Sequence, residues 1–259
     1  MPIKGINIDK CSNCQACIKE CTTGNYTLDE ELGQTRFTGS NCLLCGHCIA
    51  VCPENAINYE GFKDIAIDFE DPNDSVSPEA MFKLILSKRS IRQYKKKEVP
   101  IETLKKVIES IRYAPTAINL RIMKCILITG EQKMGEFIDS LIDELYTGEE
   151  RNNLKKSREN GVDPFFHNAP HLIILHSNSF FGEVDATIAI TYAMLYAETL
   201  GLGSCWIGGI QKFLAANKEK TKKILGVSTK ISAIMTLGFP AVKFKRSAPR
   251  PPIKLKIME

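Results

Sequence analysis

Apolar residues recur at helical spacing in two stretches of the chain: Ile101, Leu104, Val107, Ile108 and Ile111, then Met134, Phe137, Ile138, Leu141, Ile142 and Leu145. A period of three to four residues puts such side chains on one helix face, so each stretch predicts a helix with a buried stripe. The apolar runs at Cys125 to Ile128, Leu172 to Leu175 and Ile231 to Leu237 are short and uninterrupted, which predicts buried strands. Asp185 to Leu200 is mostly apolar and ends at Gly201, a residue suited to close a helix. Ser77-Pro78 reads as an N-cap followed by proline at the first helical position, opening a short amphipathic helix. Helices around a few buried strands predict an α+β fold for residues 79–259, with a central sheet flanked by helices.

The first 60 residues follow a different rule. Eight of the ten cysteines lie before residue 53, as an internal repeat: Cys11, Cys14, Cys17 and Cys21, then Cys42, Cys45, Cys48 and Cys52. Each repeat has the spacing C-x2-C-x2-C-x3-C, and Pro53 follows the second. Paired C-x2-C units also serve zinc, but two triples with the same x3 offset suit a pair of four-thiolate zinc centres poorly. The spacing instead lets three thiolates hold three corners of one cubane while the fourth reaches another cluster. The segment resembles bacterial two-cluster ferredoxins over roughly residues 3–60. That resemblance implies two [4Fe–4S] clusters with crossed ligation: Cys11, Cys14, Cys17 and Cys52 on one, Cys42, Cys45, Cys48 and Cys21 on the other. Thr22 stands after Cys21 where that family usually has proline, which leaves both ligand sets intact. His47, inside the second motif, reads as a solvent-facing loop residue, because four thiolates already complete each cluster.

Charge divides the chain in the same place. Residues 1–80 carry five Lys/Arg against 13 Asp/Glu, a net of −8, and the remainder carries 29 against 17, a net of +12. The asymmetry suggests an acidic and a basic module. It is too diffuse for nucleic-acid binding, which the run Lys95-Lys96-Lys97 alone does not support. Between the modules, Glu60 to Pro78 is acidic and holds Asp71-Pro72-Asn73-Asp74, a linker by composition. The expected domains are therefore a cluster head over 1–60, a linker over 61–78 and a larger domain over 79–259. Met1 to Lys10 has no apolar core of a secretory signal. Thr187 to Ile210 is interrupted by Glu198 and reads as a buried helix and turn, so no membrane span and a cytoplasmic location are expected.

The larger domain opens with Lys88-Arg89-Ser90-Ile91-Arg92-Gln93-Tyr94, where two arginines flank a serine. Guanidinium forks of fixed geometry and permanent charge can clamp a phosphate. Arg112-Tyr113-Ala114-Pro115-Thr116-Ala117-Ile118-Asn119 follows, then Leu200-Gly201-Leu202-Gly203-Ser204-Cys205-Trp206-Ile207-Gly208-Gly209, then Leu237-Gly238-Phe239-Pro240. In this order the set resembles the nitroreductase family of FMN proteins over about residues 81–259, with a divergent middle from 131 to 165. The resemblance implies that Arg89, Ser90 and Arg92 contact the FMN phosphate and the pyrimidine edge of the ring. It implies contacts from a second subunit of a homodimer through Pro115, Thr116, Ala117 and Asn119, with Thr116 replacing the usual serine. Leu120-Arg121 departs from the family's common Gln-Pro. Gly208 and Gly209 match the stretch that passes close to the isoalloxazine, and Arg246 or Arg250 would reach the phosphate. Gly201-Leu202-Gly203-Ser204 lacks the third glycine of a dinucleotide fingerprint and follows a helix, so a Rossmann domain is rejected. Cys125 and Cys205 are expected in the core. His167, His171 and His176 show no triad or metal pattern.

The expected function is an oxidoreductase that passes electrons from a low-potential donor such as ferredoxin, through two [4Fe–4S] clusters, to FMN. The resemblance suggests a nitroaromatic, quinone, flavin or activated alkene as small-molecule acceptor, with chemistry carried by the flavin and no protein acid or base. The rival reading is a non-catalytic electron carrier or flavin-binding protein.

Overall fold

The computed structural model describes residues 3–39, 41–61, 64, 66–69 and 76–259. The linker's Asp71-Pro72-Asn73-Asp74 lies outside the described residues. Two compact units result: one comprises Met1–Ser75 with Ala117–Leu120, the other Val76–Thr116 with Arg121–Glu259.

The first unit is built from the cysteine repeat twice over. In chain order it holds β1 (Ile3–Ile6), α1 (Ala16–Glu20), β2 (Tyr26–Asp29), β3 (Gln34–Phe37), α2 (His47–Val51) and β4 (Ile57–Tyr59). β1 pairs antiparallel with β4, and β2 with β3. The backbone repeats with the sequence. Asn13 and Leu44, each two residues past the first cysteine of its motif, have φ of 60° and 54°. Gln15 and Gly46, the residues that open α1 and α2, follow with φ of 60° and 78°. Left-handed residues so close together curl the chain around an interior point and turn backbone N–H groups inward. Asn13 fastens its loop to β3, its Oδ1 accepting from Thr35 N at 2.9 Å and Thr35 Oγ1 at 3.0 Å. A small core of Ile3, Cys17, Tyr26, Cys48 and Ile57 lies within. Four very short strands bury too little apolar surface to hold such a module alone, which is the usual reason that small domains rely on metal.

The second unit contains α3 (Pro78–Ser87), α4 (Ile101–Ile111), β5 (Lys124–Thr129), α5 (Glu131–Leu145), α6 (Gly148–Glu159), β6 (His171–Ser177), α7 (Gly182–Thr199), β7 (Gly203–Trp206), α8 (Gly208–Ala216), α9 (Lys218–Leu225) and β8 (Lys230–Gly238). The strands form one antiparallel sheet in the order β5-β6-β8-β7. Alternation along β6 feeds two cores. Ile173 and Leu175 pack with α4 and α7 on one face, and Leu172 and Ile174 pack with α5 and α8 on the other. The predicted central sheet flanked by helices is therefore the observed one, and the chain is α+β. The stripe of α4 buries Leu104, Val107 and Ile111, and that of α5 buries Met134, Phe137, Ile138, Leu141 and Ile142. Ser77 caps α3 as predicted, its side chain accepting from Ala80 N at 3.2 Å.

Three expectations need adjustment. Cys125 is exposed on β5, an edge strand, whereas Cys205 is buried in the core of its unit as expected. α3, expected as a short amphipathic helix, has no buried residue, and its Met81, Phe82, Ile85 and Leu86 are all exposed. α7 buries Ala186, Ala189, Ile190, Ala193 and Ala197 against the sheet but leaves Val184, Tyr192 and Tyr196 open. Among the described residues no helix is long and apolar enough to cross a membrane.

His171 and His176 are buried and structural. His171 Nε2 accepts from Val99 N at 3.2 Å, which leaves Nδ1 as the protonated nitrogen facing Thr129 Oγ1 at 2.7 Å. Burial pushes its ionisation below the usual value of 6.5, opposed by the Glu98 carboxylate. A histidine held neutral in the fold stabilises above its unfolded pKa, and that stability drains away as pH falls below about 6.5. His171→Gln keeps one acceptor and one donor without a titrating ring. Thermal denaturation under argon should show this variant less stable at pH 7.5 by about 1–2 kcal/mol, yet with a shallower loss between pH 7 and 5. An unchanged slope would remove His171 from the acid response.

Candidate functional site

The cysteines form two rings. One cavity is lined by Cys11, Cys14, Cys17 and Cys52, and a second by Cys21, Cys42, Cys45 and Cys48. Each ring thus takes three thiols from one repeat and the last from the other. The reason is geometric: the third cysteine sits in a short helix, buried at Cys17 and Cys48, and the fourth lies past the end of that helix, facing away from its own loop. Among the described residues no three His, Cys, Asp or Glu side chains converge closely enough to hold a single metal ion. Four thiols standing around a shared space fit a cubane.

The polar surroundings point the same way. Asn25 N donates to Cys21 Sγ at 3.2 Å, Leu44 N to Cys42 Sγ at 3.4 Å and Ala56 N to Cys52 Sγ at 3.2 Å. Amide N–H groups aimed at sulfur suit thiolates that carry a cluster's charge. The Tyr26 hydroxyl is buried, with the Cys48 thiol as its neighbour, and its ionisation is pushed up first by burial and then by contact with that thiol. A metal-bound thiolate at Cys48 would accept its proton. Burial likewise pushes the free Cys17 thiol up to about 11. Such a site favours neutral thiols or a metal that shares their charge. His47 is exposed as expected, but it is the first residue of α2 and not a loop residue.

In the second unit, the strand β7 organises the residues expected at a flavin. Ser90 bridges in parallel to Ser204, and Ile91 N donates to Ser204 O at 3.0 Å. This lays the loop carrying Arg89, Ser90 and Arg92 along β7, whose chain continues directly into Gly208 and Gly209 at the start of α8. Gly203 makes the close approach possible: a Cβ there would stand 2.5 Å from Ile91 Cγ1. Tyr94 braces the far end, its hydroxyl 2.8 Å from Ile91 O and 2.7 Å from Thr236 Oγ1. No side chain caps the N–H groups that open α8, and Gly209 leaves open room where a Cβ would stand. Among the described residues neither Arg89 nor Arg92 is engaged in an ion pair. Uncapped amides, a glycine opening and two free guanidinium groups fit an anionic, planar cofactor.

The other expected residues are more scattered. Pro115 and Thr116 follow α4 in the second unit, and Thr116 Oγ1 accepts from Arg121 N at 3.1 Å. Ala117 and Asn119 lie in a 3-10 turn grouped with the first unit, where Asn119 Nδ2 donates to Leu43 O at 2.7 Å. Arg246 and Arg250 stand exposed on the extended chain after β8, away from secondary structure.

Sequence reasoning missed Lys88 and Glu198. Lys88 Nζ donates to Arg89 O at 2.6 Å and to Ser204 O at 3.4 Å, and lies 3.9 Å from Glu198 Oε2 on α7. Burial depresses the lysine's pKa and raises the glutamate's, and each charge opposes the shift of the other. The pair ties the start of the loop to α7 and β7. Its only signal in the sequence was a basic run that otherwise reads as solvated surface.

Two four-thiol rings in one unit, and in the other an arginine loop beside a glycine opening, fit a two-module redox protein. Residues 85–239 match the Nitroreductase family model and residues 10–56 the 4Fe-4S dicluster domain, and the chain belongs to the nitroreductase family. A nitroreductase with bound FMN from Desulfitobacterium hafniense is 22% identical, with a TM-score of 0.56 over 69% of this chain and 98% of that one. A nitroreductase with bound FMN from Bacteroides fragilis gives 23% identity and a TM-score of 0.55 over 69% and 98%. The iodotyrosine deiodinase of Thermotoga neapolitana is 20% identical over 62% of this chain and 88% of its own length. The cysteine-rich head is 35% identical to part of an archaeal-type glutamate synthase [NADPH] from Dehalococcoides mccartyi, over 19% of this chain and only 10% of that protein.

The contact at Gly203 is open to a double-mutant test. Gly203→Ala should cost about 1–3 kcal/mol in thermal or urea denaturation, the usual penalty of overpacking. Combining it with Ile91→Ala should recover part of that loss, because the colliding atoms are gone. Strict additivity of the two changes would deny the close approach.

Proposed function

We propose that the chain is an FMN-dependent reductase supplied one electron at a time. Its two [4Fe–4S] clusters would take electrons from a low-potential donor such as ferredoxin, and FMN would deliver them in pairs to a small organic acceptor: a nitroaromatic, quinone, flavin or activated alkene. The observation that carries this reading is the occurrence, in one chain, of two four-thiol rings and a nitroreductase fold. Tethering keeps one-electron centres at high effective concentration near the flavin, which a diffusing hydride donor would make unnecessary.

The roles follow from residue chemistry. Cys11, Cys14, Cys17 and Cys52 hold one cluster, and Cys21, Cys42, Cys45 and Cys48 the other. Arg89 and Ser90 bind the phosphate, and Arg92 offers a fixed positive charge where the reduced ring carries negative charge, favouring the reduced form. Gly208 and Gly209 admit the ring at close range. Pro115, Thr116, Ala117 and Asn119 belong to the same site, the latter set reaching it from the second subunit of a homodimer. Arg246 or Arg250 adds charge at the phosphate. Lys88 and Glu198 position the loop without touching the reacting atoms. No protein group donates or removes a proton in this scheme. The working domain boundaries are a head over 1–60, a linker over 61–78 and a flavin domain over 79–259, in a cytoplasmic protein.

Two measurements test the reading. Reduced ferredoxin, or a comparable one-electron donor, should support reduction of a nitroaromatic or quinone far better than NADH or NADPH. A preference for NADPH would overturn the electron route, and absence of saturation by any organic acceptor would favour a carrier. Arg89→Ala should weaken FMN binding by roughly 1.5–3 kcal/mol, the usual worth of a charge-assisted hydrogen bond. Undiminished flavin retention would remove Arg89 from the phosphate site.

A further inference from the structure

The two rings are built by the same motif yet differ in what surrounds them, and the difference falls at matching offsets of the repeat. Counting from the fourth cysteine of each motif, the second residue is Thr23 in the first repeat and Glu54 in the second. The fourth is Asn25 against Ala56, and the fifth is Tyr26 against Ile57. Thr23, Asn25 and Tyr26 line the ring of Cys21, Cys42, Cys45 and Cys48, whereas Glu54, Ala56 and Ile57 line the other.

One backbone donor is common to both, the N–H of Asn25 and of Ala56 each donating to its cysteine at 3.2 Å, and Leu44 N adds another in the Cys21 ring, to Cys42 Sγ at 3.4 Å. The side chains are not equal. Asn25 is 1% exposed and its Nδ2 donates to Thr23 Oγ1 at 2.6 Å and to Cys21 Sγ at 3.7 Å. Its amide is oriented by Asn41 N, which donates to Oδ1 at 3.0 Å, so the nitrogen must face the sulfur. Thr23 Oγ1 lies 3.8 Å from the same sulfur with its proton free to point there. The buried Tyr26 hydroxyl adds a donor facing Cys48 across the same cavity. In the second repeat a methyl and a butyl group stand at these places, and Glu54 contributes a negative charge.

We propose that this asymmetry sets the potentials of the two clusters apart, making the one held through Cys21 the electron-accepting member of the pair. The proposal rests on the crossed ligation given above. Reduction adds one electron from the low-potential donor to a cluster, with no bond made or broken, and increases negative charge on the sulfurs. Donors to those sulfurs stabilise the reduced form, and a nearby carboxylate destabilises it. All three differences act in the same direction. An electron entering the head at either cluster therefore settles on the Cys21 cluster. Asn25, Thr23 and Tyr26 are positioning residues here, acting through the thiolates they touch.

The test is a potentiometric titration of the intact protein followed by electron paramagnetic resonance, with iron counted in each sample. The wild type should give two resolved midpoints. Asn25→Ala, which makes the first repeat like the second, and Tyr26→Phe, which keeps the ring and its packing on Phe37, should each lower the higher midpoint towards the other at unchanged iron content. Glu54→Gln, on an exposed side chain, should raise the lower one. Two unmoved midpoints in Asn25→Ala and Tyr26→Phe with full iron would overturn the proposal. Cys21→Ser separates its failure from failure of the ligand assignment. If Cys21→Ser and Tyr26→Phe alter different signals, the crossed ligation is wrong. If both alter the lower-potential signal, the ligation stands and the proposed polarity is reversed.

Discussion

Each four-thiol ring borrows one member from the other repeat, Cys52 for the first ring and Cys21 for the second. That exchange is the constraint on which the small unit depends. Its strands are only three or four residues long and its helices five, too little regular structure to fix a fold by packing. Crossing the fourth thiol leaves neither ring complete within one repeat. The pairing of β1 with β4, the first and last strands of the unit, closes the structure around both rings.

The second unit meets its constraints differently. A sheet buried on both faces carries the load, with β6 and β8 almost wholly inaccessible. The loop from Lys88 to Tyr94 is held at the sheet edge by close contacts: Gly203 against Ile91, Tyr94 against Thr236, and Lys88 between Arg89 O, Ser204 O and Glu198. These leave the arginines free while fixing the backbone that presents them. Rigid support under unpaired charge is what a cofactor cradle requires.

Much of this was legible in the sequence because the signals were periodic or spaced. The stripes of α4 and α5 predicted their helices closely, and the apolar runs located β5, β6 and β8. The capping serine of α3 was visible from Ser77-Pro78. Other features left no such mark. α6 has no buried residue and is held by ion pairs of Arg151, Lys155 and Arg158 to Asp143 and Asp139 on α5, so it carries no apolar stripe to read. β7 is four residues long and contains a glycine, and it read as part of a loop motif. Cys125 looked like a core residue because an apolar run does not reveal whether its strand lies at the centre or the edge of a sheet. The contrast of Asn25 and Tyr26 with Ala56 and Ile57 was present in the repeat, yet it acquires meaning only when the structure assigns each pair to its ring.

The central claim is that two cubanes sit in crossed thiolate rings at the head of a nitroreductase-family chain. Iron and acid-labile sulfide analysis of anaerobically purified protein, compared with Cys21→Ala, tests it most directly. The account predicts about eight iron and eight sulfide per chain for the wild type. It further predicts that Cys21→Ala damages the cluster of Cys42, Cys45 and Cys48 while sparing that of Cys11, Cys14 and Cys17. Zinc in place of iron, or selective loss of the cluster held by Cys11, Cys14 and Cys17, would contradict it.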